Sequence, residues 1–162
     1  ALKRATMATK KMAIIATKGT LDMAYPPLIL ASTAAALGWD VQIFFTFYGL
    51  QLLRKDLSGI AISPIGNPAM PMPVPMPVIV SMLPGMEAMA TSMMKAKMKK
   101  KGVASLEELR SLCQEAEVKF IACQMTVDLF EFQTSEFIDG IEYGGAATFM
   151  KFAGETDVCL FI

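Results

Sequence analysis

A short continuous apolar run, Met12-Ala-Ile-Ile-Ala-Thr17, is followed directly by the turn Lys18-Gly-Thr20. Uninterrupted apolar runs of this length are typical of strands that are buried on both faces, as in a parallel sheet. Residues 21–37 are rich in Ala and Leu and predict a helix, which Gly38 ends because glycine readily adopts the left-handed conformation. A buried strand followed by a helix begins a β-α-β unit, so this part of the chain predicts an α/β fold.

The same alternation of strands and helices returns further along the chain. Additional strands are predicted over residues 41–46, 118–123, 141–143 and 158–162. Additional helices are predicted over residues 50–55, 82–101, 105–117, 127–132 and 144–153. Ser105-Leu-Glu-Glu108 is a capping box, Thr126 is predicted to cap the helix at 127, and Pro26 and Pro27 are assigned to the first turns of their helix.

These elements predict a single α/β domain over residues 1–162. Its sheet is expected to be open and mostly parallel, with five or six strands and helices on both faces. A length of 162 residues suits one domain with a single sizeable core.

A Pro/Met-rich insertion is predicted at about residues 57–101. Residues 57–86 carry no charge, and seven prolines recur between 64 and 84, which disfavours a transmembrane helix. The insertion is interpreted as a lid, an oligomer contact or a surface that contacts a membrane through residues 59–98. Its basic end would attract an anionic membrane surface. Its methionines also allow a remoter hypothesis, a Cu(I) site of thioether ligands; these are Met70, Met72, Met76, Met82, Met86 and Met89.

The overall composition excludes several classes of function. The net charge is zero, so no nucleic-acid partner is expected, and the absence of histidine removes Ser-His-Asp and Cys-His catalysis and imidazole metal sites. Three cysteines without CxxC spacing argue against zinc, iron–sulfur and secreted disulfide frameworks, so neither a metal nor another cofactor is expected. The segment 1–11 does not have the pattern of a signal peptide, and a cytoplasmic location is expected.

Three turns follow predicted strands, and the carboxyl ends of parallel strands are where open α/β sheets bind ligands. The turn at Cys123 contains the only strong nucleophile of the three. Cys123 precedes a helix start, where N–H groups favour a thiolate, although a buried cysteine acting as a small hydrophobe is an equal alternative from position alone. Cys113 and Cys159 are predicted to be buried cysteines that act as small hydrophobic residues, without a chemical role. The residues assigned to substrate binding are Lys18, Gly19, Thr20, Phe47, Tyr48, Gln124, Met125 and Thr126.

Four segments resemble the DsrE/DsrF/DsrH-like family, in its larger DsrE-like subgroup whose members carry a peroxiredoxin label. The segments are Lys18–Asp22, Phe45–Lys55, Lys119–Met125 and Gly140–Gly145, of which the Ala-Cys-Gln-Met turn is the most specific. The resemblance implies a sulfur carrier or sulfurtransferase of sulfur oxidation or sulfur relay that assembles into homo-oligomers. It also implies that Cys123 forms a persulfide and that some relatives have membrane-associating segments corresponding to 59–98. No resolving nucleophile is evident, so peroxidase chemistry is not expected.

The first functional hypothesis is therefore a sulfur carrier or sulfurtransferase. Cys123 would hold sulfane sulfur as a persulfide or thiosulfonate and pass it to a partner protein or small thiol. Lys18 and the turns at Gly19 and Gln124–Thr126 would stabilise the anion, and Phe47 and Tyr48 would exclude water. The second hypothesis is a non-catalytic oligomeric or membrane-docked scaffold built around the Pro/Met-rich segment.

Overall fold

Five strands form one parallel sheet in the computed structural model, which describes residues 8–63 and 77–162. The strands are β1 (Lys11–Ala16), β2 (Asp40–Phe45), β3 (Lys119–Cys123), β4 (Glu142–Gly144) and β5 (Val158–Phe161). Their order is β4-β3-β2-β1-β5, and each adjacent pair is parallel. The predicted open sheet is confirmed, with five strands and no antiparallel member among the described residues.

Six α-helices connect these strands in the described part of the chain. They are α1 (Leu21–Ala36), α2 (Val78–Ser81), α3 (Met86–Lys100), α4 (Leu106–Glu115), α5 (Gln124–Leu129) and α6 (Ala146–Ala153). A 3₁₀ helix, Phe47–Leu53, follows β2 where an α-helix over 50–55 was predicted, and a second short one spans Thr134–Glu136. The predicted capping box at Ser105 is confirmed, since both of its reciprocal hydrogen bonds form.

The two faces of the sheet bury different amounts of apolar surface. Alternate residues of β1, such as Ile14, lie in the larger core beneath α1 and α4. The residues between them, such as Ala13, lie in a smaller core with Phe44, Cys123 and Phe149 of α6. Helices therefore cover both faces, but in the described residues the second face is covered by α6 alone.

Strand order explains this asymmetry. Successive strands from β1 to β4 are added in one direction, so their right-handed crossovers lie on the same face. The connection from β4 to β5 returns across the sheet in the opposite direction, and the same handedness places α6 on the other face.

The segment after the 3₁₀ helix returns to the larger core. Leu57, Ile60 and Ile62 are buried there, and the N–H of Ile62 donates to Oγ1 of the buried Thr91 in α3 at 3.1 Å. Residues 64–76, including Met70, Met72 and Met76, lie outside the described residues. Within residues 8–63 and 77–162, every helix is too short or too polar to cross a bilayer.

Three local predictions from the sequence are wrong. The helix predicted over 82–101 begins at Met86, because Pro84 and the left-handed Gly85 (φ 84°) interrupt it. Pro26 and Pro27 lie inside α1, beyond its first turn, where each removes a helical donor. Thr126 is not a cap: α5 begins at Gln124 with Cys123 in the N-cap position.

Candidate functional site

Cys123 lies where β3 ends and α5 begins, so its sulfur is at the carboxyl edge of the sheet. It has extended backbone geometry (φ −66°, ψ 110°), which turns the chain directly from strand into helix. The residue is 5% exposed, and it pairs across the sheet with Gly144 of β4. A glycine at that position places no side chain beside the cysteine. At this exposure a flat protein surface cannot contact the residue, and a reaction partner would have to be small or to protrude.

Two threonines, 80 residues apart in the chain, meet next to this cysteine. Oγ1 of Thr46, which follows β2, lies 3.2 Å from Oγ1 of the fully buried Thr126. The N–H of Phe47 also donates to Oγ1 of Thr126, at 3.3 Å. Phe47 has φ 48°, a left-handed conformation unusual for a non-glycine residue, and this conformation forms part of the turn. The contact joins the turns after β2 and β3.

Hydrogen bonding to the sulfur outweighs the effect of burial on the pKa of Cys123. Burial by itself raises this pKa because it disfavours the thiolate. The hydroxyl and N–H of Thr126, the hydroxyl of Thr46 and the N–H of Met125 act in the opposite direction, and the pKa of Cys123 is lowered. The groups that lower the pKa of Cys123 are thus neutral donors, and the chain has no histidine to do so.

An exposed apolar patch lies beside these turns. Phe130, just after α5, stacks on Tyr48 with ring centroids 6.2 Å apart and meets Phe47 edge-on at 6.3 Å. Met125 and Leu129, four residues apart on α5, are exposed as well. We call Phe47, Tyr48, Met125, Leu129 and Phe130 the apolar rim.

The remaining residues assigned from the sequence divide between two places. Lys18, Gly19, Thr20 and Tyr48 line a cavity of about 550 Å³ that also includes Gln51 and Ser63. Cys123 is not among the residues that line it, so Tyr48 is the residue shared between the cavity and the rim.

The two exposed residues after Cys123 have different roles. The side-chain amide of Gln124 donates to Asp128 at 2.7 Å and is engaged with that carboxylate. The N–H of Met125 is one of the groups that lower the pKa of Cys123. Sequence reasoning missed Thr46 and Phe130. A signal for Thr46 was available, since it follows an apolar strand directly and would lie at the same edge as Cys123.

The other two cysteines have contrasting environments. Cys113 is fully buried in α4, its thiol donates to the carbonyl oxygen of Leu28 at 3.4 Å, and burial raises its pKa to about 12. These features support the prediction that Cys113 is a buried cysteine without a chemical role. Cys159 is exposed on the edge strand β5, so the expectation that it behaves as a buried hydrophobe is wrong.

The described residues contain no cluster of side chains that could bind a metal ion. No group of three or more Cys, Asp or Glu side chains lies close enough together there to hold an ion. The copper hypothesis depends largely on Met70, Met72 and Met76, which are outside the described part of the chain, and it stays a prediction.

An open parallel sheet with a thiolate-favouring cysteine at its carboxyl edge defines a small α/β thiol protein. A profile of the DsrE/DsrF/DrsH-like family matches residues 8–161, and the chain belongs to that family. The resemblance found in the residues themselves is thereby confirmed.

Two relatives agree with this assignment, and a solved structure shares the fold. The chain is 68% identical over 160 residues to the sulfur carrier protein DsrE2 of Allochromatium vinosum, which covers 96% of this chain and all of that protein. It is 36% identical to the uncharacterized protein YrkE of Bacillus subtilis, over 97% of this chain and 99% of YrkE. The crystal structure of the ychN protein from E. coli shares the fold, with a TM-score of 0.55 and 12% identity over 95% of this chain and all of ychN.

Proposed function

We propose that this protein is a sulfur carrier that holds sulfane sulfur on Cys123 and relays it to a partner thiol. The observation that carries the proposal is the position of Cys123 at the carboxyl edge of the sheet, next to the paired hydroxyls of Thr46 and Thr126, where hydrogen bonding lowers the pKa of the thiol. The name of the relative from A. vinosum supports the same role. Sulfane donors and acceptors, proteins or small thiols, would be its partners.

The loading step needs no oxidant. The thiolate of Cys123 attacks the outer sulfur of a persulfide donor, R–S–S⁻, and forms a new S–S bond. The donor's own S–S bond breaks, its electron pair leaves with R–S⁻, and Cys123 becomes Cys123–S–S⁻. One thiolate and one persulfide are consumed and one of each is formed, so charge and oxidation state balance. The same donors that hold the thiolate would then face a persulfide anion of the same charge.

The other assigned residues have supporting roles in this proposal. Lys18 and the Gly19–Thr20 backbone line the cavity beside Tyr48 and would hold an anionic donor before transfer. Phe47 and Tyr48 of the apolar rim would limit the access of water to the reactive sulfur. Exposed apolar side chains at the sheet edge, such as Phe161 at 75% exposure, support the expected homo-oligomer.

Intact-mass analysis after incubation with a persulfide donor tests this function. We expect an increase of one sulfur atom on wild-type protein, located at Cys123 by peptide mapping. Cys113→Ser and Cys159→Ser should retain the adduct, and Cys123→Ser should lose it. An adduct that survives in Cys123→Ser, or no adduct on folded wild-type protein, would overturn the proposal.

A second candidate function, docking on a membrane surface, is favoured by the outer face of α3. Thr91, Met94 and Met98 face the core, which leaves Met89 (51% exposed) and Met93 (66% exposed) on the outside. Nearby Ile79, Met82 and Leu83 are also exposed, and five lysines follow at positions 95, 97, 99, 100 and 101. Exposed apolar side chains next to a cluster of lysines suit an anionic lipid surface.

Co-sedimentation with vesicles distinguishes this role from the first. We expect binding to vesicles that contain phosphatidylglycerol and little binding to pure phosphatidylcholine. Met89→Ser/Met93→Ser should weaken binding, while Ile29→Ser/Leu30→Ser, which changes two exposed residues of α1, should not. Equal recovery with both lipids, or unchanged binding of the α3 variant, would exclude the interaction.

A further inference from the structure

The apolar rim is formed by the segments that directly follow β2 and β3, and Cys123 is the last residue of β3. Tyr48 is 65% exposed, Met125 60% and Leu129 59%, although their neighbours Thr126 and Val127 are buried. The 3.2 Å contact between Thr46 and Thr126 joins the two turns that carry the rim. Exposed apolar side chains grouped at one place are typical of a protein-binding surface.

The surface that surrounds the rim is acidic. Residues 120–150 include five acidic residues and no Lys or Arg; the acids are Asp128, Glu131, Glu136, Asp139 and Glu142. Asp128 and Glu131 are exposed and directly adjoin the rim residues Leu129 and Phe130. This part of the chain therefore presents apolar side chains together with negative charge.

Among the described residues, no salt bridge joins Asp128 or Glu131 to a Lys or Arg of the adjoining segments. Arg54 pairs with Glu136 at 3.1 Å, and Nζ of Lys55 donates to the carbonyl oxygen of Ser135 at 3.0 Å. Lys119 pairs with Glu142 at 3.5 Å at the opposite end of β3 from Cys123, and Lys18 lines the separate cavity.

Transfer from a loaded Cys123 brings two anions together. The acceptor thiolate, R–S⁻, must attack the outer sulfur of Cys123–S–S⁻. It forms R–S–S⁻ and returns the electron pair of the broken S–S bond to Cys123 as a thiolate. Positive charge at the meeting point lowers the pKa of the acceptor thiol and reduces the repulsion. Asp128 and Glu131 instead add negative charge beside the rim, so an acceptor that carries cations next to its own cysteine would be favoured.

We propose that the apolar rim docks an acceptor protein which presents its cysteine on a protruding segment flanked by Lys or Arg. The rim would contact apolar side chains of that segment, and Asp128 and Glu131 would attract its cations. A protruding segment is required because Cys123 is buried. This inference rests on the proposed function, since it names the chemistry of the partner that receives the sulfur.

Persulfide transfer to two synthetic peptides tests the inference. The peptides have equal length and one cysteine each, flanked by Lys in one and by Glu in the other. Protein carrying a mass-verified Cys123 persulfide is mixed with each peptide, and the ratio of the two transfer rates is measured. We expect Asp128→Asn/Glu131→Gln to lower the basic-to-acidic ratio about fivefold, and about 1 M salt to lower it in the wild type. Comparing ratios between proteins cancels the intrinsic difference in thiol pKa between the peptides.

Matched controls separate the rim from the rest of the surface. Glu107→Gln/Glu115→Gln removes two exposed acids of α4 and should leave the ratio unchanged. Leu129→Ser should slow transfer to the basic peptide, whereas Leu112→Ser, an exposed leucine of α4, should not. An unchanged ratio in Asp128→Asn/Glu131→Gln, or full transfer by Leu129→Ser, would overturn the docking surface. Failure of Cys123 to load would instead overturn the proposed function.

Discussion

The three cysteines of this chain differ in chemistry because of their neighbours. Cys113 is enclosed by apolar side chains, and burial raises its pKa to about 12, so it is inert at neutral pH. Cys123 is also buried but lies in the smaller core, and hydrogen bonding by Thr126, Thr46 and the N–H of Met125 lowers its pKa. The contrast in pKa between the two thiols thus comes from the depth of burial together with hydrogen bonding.

Thr126 is the residue whose side chain should affect the pKa of Cys123 most, through its hydroxyl group. Thr126→Val keeps the shape of the side chain but removes a donor, so the thiolate loses stabilisation and the pKa of Cys123 rises. Hydrogen bonds to charged groups contribute about 1.5–3 kcal/mol, so alkylation at neutral pH should slow by about tenfold. The pH profile of iodoacetamide alkylation should move to higher pH.

Thr126→Ser is the control for this change, because it retains the hydroxyl and should preserve the wild-type pH profile. Thermal unfolding of both variants establishes that they are folded. If Thr126→Val alkylated with the wild-type profile while folded, the hydroxyl would have no part in holding the thiolate.

At the scale of elements, the 3₁₀ helix after β2 is held against the end of β1 without space for side chains. The N–H of Gly49 donates to the carbonyl oxygens of Thr17 and Thr46, at 3.1 and 3.0 Å. A Cβ at Gly49 would overlap the backbone carbonyl oxygen of Ala16. This close approach orients Thr46 and Phe47 towards Thr126.

Gly49→Ala should therefore lower the free energy of unfolding by about 2 kcal/mol or more, because two backbone segments must separate. Gly59→Ala is the matched control: nothing lies within 4 Å of its Cβ, and it should change stability by about 0.5 kcal/mol or less. Urea denaturation of both variants measures the difference. Equal stability of the two would show that the turn can relax.

At the scale of the whole molecule, one reversal in strand order places α6 over the face of the sheet that holds Cys123. Because α6 alone covers the second face among the described residues, the core there consists of only five buried residues, Cys123 among them. Ring stacking of Phe44 on Phe149 at 5.0 Å holds α6 in place. Cys123 thus lies under a thin layer of protein rather than in a deep core.

Local sequence patterns determined the alternation of strands and helices, the capping box at Ser105 and the position of Cys123 at the end of a strand. Each depends on residues close together in the chain, which periodicity and capping rules can detect. The start of α3 was misplaced although Pro84 was visible, because methionine periodicity continued through it.

Only the tertiary structure decided which side chains surround the sulfur and which cysteine is exposed. Thr46 and Thr126 meet because β2 and β3 are neighbours in the sheet, and Cys159 is exposed on the edge strand β5, where it pairs with Ala13 of the thinly covered second face. Neither fact is contained in a local pattern. Both follow from strand order, which depends on packing between segments far apart in the chain. That order places neutral hydrogen-bond donors next to Cys123, in a chain that has no histidine.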